Sequence, residues 1–239
     1  MTAQAAVVPE TFLRAVVTPT DGTSRRRKRR LNGPGDQNQV REMLSYLAAA
    51  LPSRTGAAAR LLAVQCALRM DSEGKARLPV GVLRSLRLGG DPRPWSELEQ
   101  ARWLRRTPAV RGSADRAVVA QILDGALFAQ RPARPDRRRA ADWALRMARG
   151  GCMSPDASLR LIALCLAAHT DFSTGQGWVE TDRITRECGL VPDVLLSLLD
   201  RLAASLASWG VALDSGDLRW ELLSKACNAS MPPTNLTPT

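Results

Sequence analysis

The sequence predicts a mainly α protein holding two copies of one small domain, joined by a helical linker and supplied with small β-hairpins. Three observations carry this expectation. Apolar residues recur with the spacing of amphipathic helices. A stretch of the chain repeats at an offset of 100 residues. Near the C-terminal end, the turn residues Asp214-Ser215-Gly216-Asp217 separate two short stretches with strand character.

Size and composition agree with that class. A chain of 239 residues suits one domain or two small ones, and 45% hydrophobic content is enough for a buried core. No apolar run is long enough for a membrane span. Met1 to Glu10 lacks the basic head of a signal peptide, so a cytoplasmic protein is expected. The cysteines Cys66, Cys152, Cys165, Cys188 and Cys227 form no close pair and no metal-ligand spacing, which fits a reducing compartment. Asn228-Ala229-Ser230 and Asn235-Leu236-Thr237 read as chance sequons.

Charge is distributed unevenly. Of 34 basic residues, 31 are arginine. Residues 1–110 carry 19 basic and 9 acidic side chains, residues 111–150 carry 9 and 4, and residues 151–239 carry 6 and 10. A positive front and an acidic rear point to a polyanion partner for the front. Nucleic acid is the first candidate and anionic lipid the rival. Abundant arginine and alanine suit a GC-rich bacterial genome.

Five segments are expected. Residues 1–38 form a disordered basic arm around Arg25, Arg26, Arg27, Lys28, Arg29 and Arg30, six adjacent charges that cannot be buried unpaired. Residues 39–130 form the first domain, 131–151 a linker helix, 152–225 the second domain and 226–239 a disordered tail. A helix is predicted over Gln39 to Leu51, with Val40, Met43, Leu44 and Leu47 on one face and Pro52 ending it. A second runs from Gly56 to Met70, favoured by its alanines.

The repeat begins in that second helix. Arg60-Leu61-Leu62-Ala63-Val64 returns as Arg160-Leu161-Ile162-Ala163-Leu164, followed by Ala67 with Ala167 and Asp71 with Asp171. After a one-residue insertion Gly74 aligns with Gly175, Leu78 with Val179 and Leu83 with Ile184, and Pro92 with Pro192 restores the offset. In the second copy a helix is predicted over Pro155 to Ala168. A turn-rich break spans Asp171 to Gly177, a short helix runs from Thr181 to Gly189, and a third helix starts at Pro192 with Val194, Leu195, Leu198, Leu199, Leu202 and Leu206 as its apolar face. Trp209 to Leu213 and Leu218 to Leu222 would close it as a hairpin.

On that order of elements, residues 155–223 resemble the winged helix-turn-helix superfamily. The resemblance implies a third helix in the DNA major groove and a hairpin on the backbone. The first copy follows the plan less clearly: helix 56–70, break 71–74, short helix Val80 to Leu86, turn Leu88 to Asp91, and a third helix from Pro94 to about Arg106. A helix is expected over Ser113 to Leu123, a strand over Leu127 to Ala129, and the linker helix over Asp136 to Arg149 with Gly150-Gly151 closing it. The wing of this copy has no assigned place.

No catalytic, cofactor or metal constellation emerges. His169, the single histidine, reads as structural or surface, and Tyr46, the single tyrosine, lies in an apolar stripe. Asp71 and Asp171 read as turn or cap residues. No Gly-rich phosphate loop with its lysine is present. Besides the arm, the candidate DNA contacts are Arg84, Arg87 and Arg93 around the first turn, and Gln100, Arg102, Arg105 and Arg106 on or after the third helix. Arg137, Arg138 and Arg139 at the linker helix and Arg183 and Arg186 in the second copy complete the set. Arginine grips phosphate or reads guanine in a bidentate way.

The leading expectation is a nucleoid-associated, sequence-specific double-stranded DNA-binding protein, a transcriptional regulator acting without catalysis or cofactor. A plasmid replication-initiator or partition protein is one alternative. Another is a protein-interaction module, which the acidic second copy favours. Leu195, Leu196, Leu198 and Leu199 exceed what one thin stripe needs, so they serve the core or a homodimer. No membrane partner is expected.

Overall fold

The computed structural model describes residues 34–107, 117–129, 134–150, 156–202, 206–212 and 215–222. It is mainly helical, with two small antiparallel sheets. The basic arm Arg25–Arg30, the tail, Cys152 and Cys227 lie outside the described residues.

The chain opens with α1 (Pro34–Ala50), which presents Val40, Leu44 and Leu47 to the core. Proline suits a helix start, where its missing N–H has no partner to lose. α1 begins earlier than the sequence indicated, so the segment assigned to the arm ends in helix. α2 (Ala57–Arg69) is buried around its whole circumference, from Ala59 to Leu68. Such a helix has no solvent face and lies at the centre of a core.

From α2 onward the two halves follow one plan. The first half continues with β1 (Lys75–Pro79), α3 (Val80–Ser85), α4 (Arg93–Gln100), β2 (Leu104–Arg106) and β3 (Ala117–Ile122), with sheet order β1-β3-β2. After α5 (Ala126–Ala129) and α6 (Arg134–Gly150) the second half runs α7 (Ala157–His169), β4 (Thr170–Asp171), β5 (Gln176–Glu180), α8 (Thr181–Cys188), α9 (Pro192–Leu202), β6 (Leu206–Val211) and β7 (Asp217–Leu222). Its sheet order is β4-β5-β7-β6.

The correspondence extends to register. Leu78 pairs with Val118 and Val179 with Leu218. Ile122 N donates to Gly74 O, and Leu222 N to Gly175 O, both at 2.9 Å. Gly74 and Gly175 take φ of 78° and 76°, a region open to glycine because it lacks Cβ. Asp71 Oδ1 accepts from Glu73 N and Lys75 N, and Asp171 Oδ1 from Ser173 N. The two aspartates shape turns, as the sequence indicated.

Several expectations are corrected. Residues 117–122 form a strand, not the end of a helix over 113–123, because they pair with both β1 and β2. Residues 126–129 form a short helix, not a strand. The third helix of the first half ends at Gln100, where Arg102 adopts φ 54°, so Arg105 and Arg106 lie on β2. The turn-rich break 171–177 contains parts of β4 and β5. Leu206 belongs to β6, beyond the end of α9. Leu195, Leu198 and Leu199 are buried, so that apolar excess serves the core.

The segment expected as a linker helix is the partner of α1. α1 and α6 pack on each other, on α2 and on α7. Gln37 Nε2 donates to the carbonyls of Ala167, Ala168 and Thr170 at the end of α7. Arg137, 100 residues later, donates to Met70 O at the end of α2, at 2.8 Å. Each leading helix thus closes the opposite half. The reciprocity is that of an isologous interface, here within one chain.

Candidate nucleic-acid interface

α3, α4 and the turns after them carry exposed candidate arginines of the first half. Leu83, Leu86 and Leu88 anchor α3 and its turn, while Trp95 and Leu98 anchor α4. That leaves Arg84 and Arg87 exposed on one element and Arg93 and Gln100 on the other. Asp91 Oδ1 accepts from Arg93 N at 3.0 Å and starts α4, and the Asp91 carboxylate also takes the Arg93 guanidinium. That bond holds the Asp91 carboxyl below the usual carboxylate range.

The acidic residues of α4 are engaged internally. Glu97 Oε2 accepts from Gly56 N at 2.8 Å, filling the start of α2. Glu99 takes Arg106 through its backbone N, Nε and a terminal nitrogen, at 3.0, 3.0 and 2.7 Å. The Arg106 hydrogen bond is the main cause that lowers the Glu99 carboxyl. With Glu97 and Glu99 so placed, Arg84, Arg87, Arg102 and Arg105 supply outward charge, while Arg93 is exposed but paired with Asp91. Among the described residues no ion pair engages Arg84, Arg102 or Arg105.

Two of these arginines hold a costly backbone. Arg87 and Arg102 have φ of 53° and 54°, and they are the described non-glycine residues with positive φ. A side chain there costs about 1–2 kcal/mol that glycine avoids. Both close a helix: Leu88 N donates to Leu83 O, and Trp103 N to Leu98 O. The second half places glycine, Gly189, in the corresponding turn after α8. Strained non-glycine backbone of this kind is found often at binding sites.

The remaining candidates separate. Arg137 is buried and engaged with Met70, so it leaves the interface, contrary to the sequence expectation. Arg139 pairs with Asp36 and Asp136, while Arg138 is exposed. Arg183 donates to Glu187 and Ser45, and Arg186 is exposed. Residues missed from sequence are Arg54 and Arg77. Arg54 borders a small surface cavity of about 150 Å³ together with Gln100. Arg77 faces outward from β1, a strand that no sequence pattern marked.

Buried polar groups elsewhere are structural. Glu187 bonds His169 at 3.0 Å, Ser45 at 2.9 Å and Arg183 at 3.2 Å. Burial by itself would raise the Glu187 carboxyl, but these three partners outweigh it and hold it below its ordinary value. Tyr46 OH donates to Asp124, and burial raises its phenol. Burial pushes the Cys66 thiol up to about 12, so it behaves as a core residue. Among the described residues no group of three or more His, Cys, Asp or Glu side chains is placed to hold a metal ion. No helix of the described residues is long and apolar enough to cross a membrane.

Comparison with protein families, curated proteins and solved structures returns no match for this chain.

Proposed function

We propose that the protein is a sequence-specific double-stranded DNA-binding regulator acting without a chemical step, with each half a winged helix-turn-helix. The observation that supports this most is the set of exposed side chains on α3, α4, the turns after them and β2, namely Arg84, Arg87, Arg93, Gln100, Arg102 and Arg105, two of the arginines in left-handed backbone. Guanidinium groups bind phosphate and guanine, and glutamine matches adenine in the major groove. α4 is the element that would enter the groove, with the β2–β3 hairpin on the backbone. Arg25–Arg30 would add sequence-independent phosphate attraction. Binding would occlude a promoter or recruit a partner to one.

Selection of the full chain on random duplex DNA across a salt series tests the reading. Enrichment of one motif that persists near physiological salt is the expected result. Uniform binding that vanishes as salt rises would instead leave a protein-interaction module, the reading that the acidic α9 face supports.

A further inference from the structure

The matched halves allow exposed positions to be compared one by one. Pro92 and Pro192 fix the register of α4 and α9, and the inward positions agree: Trp95 with Leu195, and Leu98 with Leu198, all buried. The outward positions do not. Arg93 of α4 becomes Asp193 of α9, and Gln100 becomes Asp200, and all four are exposed. On β1, Lys75, Arg77 and Pro79 point outward where the matching strand β5 has Gln176, Trp178 and Glu180. The fold is kept, while two outward positions that hold a guanidinium and an amide in the first half hold carboxylates in the second.

We propose that Asp193 and Asp200 keep the second half off the duplex, so that one chain occupies a single half-site in one orientation. The inference rests on the DNA-binding reading above and adds the form of the target. Two reading helices in reciprocally packed halves would favour a site with a dyad, as protein symmetry is mirrored in operator symmetry. Two carboxylates on the face that would meet phosphate oppose that second contact at distances within a Debye length, ~8 Å at physiological salt. Like charges facing one another exclude the wrong partner as effectively as attraction selects the right one. Val191 and Val194 beside them are exposed as well, and Arg201, the cation of α9, is engaged with Asp156.

The test compares the full-length chain with the double variant Asp193→Arg/Asp200→Gln, which copies residues 93 and 100 into α9. Both positions are exposed, and circular dichroism confirms that the variant folds. Selected duplexes and footprints are then read for symmetry. The native chain is expected to yield a motif without a dyad, one chain per site. The variant is expected to gain a second half-site at fixed spacing, with about tenfold tighter binding to a duplex carrying both and a salt slope steeper by ~1. A dyad motif bound by one native chain would overturn this inference and leave the DNA-binding reading intact. Unchanged symmetry and affinity in the variant would also overturn it. Failure of the native chain to bind duplex at all would remove both.

Discussion

Arg60 and Arg160 lie 100 residues apart and bury their guanidinium groups in reciprocal places, each only 2% exposed. Arg160, on the second half's first helix, donates to Leu86 O at 2.5 Å and Ser85 O at 2.7 Å, where α3 of the first half ends. It also reaches Ala148 O at the end of α6. Arg60 donates to Thr55 O and Pro52 O after α1, and it lies against Gly189, where α8 of the second half ends. A Cβ on Gly189 would stand 2.5 Å from Arg60 Nε. Each arginine thus ties its own half to the helix that precedes the opposite half's third helix, α4 or α9.

Removing Arg160 should cost more than removing Arg60. Arg160→Met leaves three carbonyls without their donor, a loss of about 2–4 kcal/mol. Arg60 serves two carbonyls, and its Nη1 has no hydrogen-bond partner, so Arg60→Met should cost about half as much. Urea unfolding of both variants measures the difference. Equal losses would mean that the hydrogen-bond inventory does not set the cost.

Arg102→Gly should stabilise the fold and weaken DNA binding together. Relief of the φ 54° backbone is worth ~0.5–1 kcal/mol after the added chain entropy of glycine. Denaturant midpoints and duplex titrations on the same preparation give the two signs. A more stable variant with undiminished affinity would separate the strained backbone from binding.

The sheet of the second half contains a compensated pair. A Cβ on Gly177 would lie 2.3 Å from the Trp220 ring, whose Nε1 donates to Thr170 Oγ1. The matched positions in the first half are Ala76, Ala120 and Met70, all buried. Gly177→Ala should cost about 1–3 kcal/mol by overpacking. Combined with Trp220→Ala, it should cost less than the sum of the two single variants, because each relieves the other. A double-mutant cycle with no coupling would contradict the packing described.

Glu187 sets an acid limit. Its folded carboxyl is held below the unfolded value of ~4.3, so the stability it adds is fully present above that pH. It is lost as pH falls through the folded value. Unfolding measured from pH 7 down to pH 3 should show Glu187→Gln with a shallower acid decline than the native chain. Parallel declines would assign the acid sensitivity to other carboxylates.

The repeat was legible because its anchors are distinctive letters: Arg60 with Arg160, Asp71 with Asp171, Pro92 with Pro192. The strands were less so. In Lys75–Pro79 just two residues face inward, Ala76 and Leu78, too few to mark a period of two. Ala117–Ile122 mixes alanine with valine, and pairing to β1 and β2 decides it, a tertiary effect that local propensity does not hold. The kinship of α6 with α1 was hidden because Gln37 and Arg137 share a task without sharing chemistry. At the candidate site the arginines could be found from sequence, but which of them are engaged could not. The burial of Arg137 depends on a carbonyl 67 residues away.

The most direct test of the central claim is the salt dependence of duplex binding for two double variants of equal charge change. Arg84→Ala/Arg105→Ala alters the α3–α4 face and β2, and Arg186→Ala/Arg219→Ala alters exposed positions of the second half. The account predicts that the first pair weakens binding at least ~tenfold and lowers the slope of log affinity against log salt by about 2, one for each phosphate that is no longer neutralised. The second pair should leave affinity within about threefold of the native chain. Equal effects from both pairs, or none from the first, would contradict a DNA-reading face on α3 and α4.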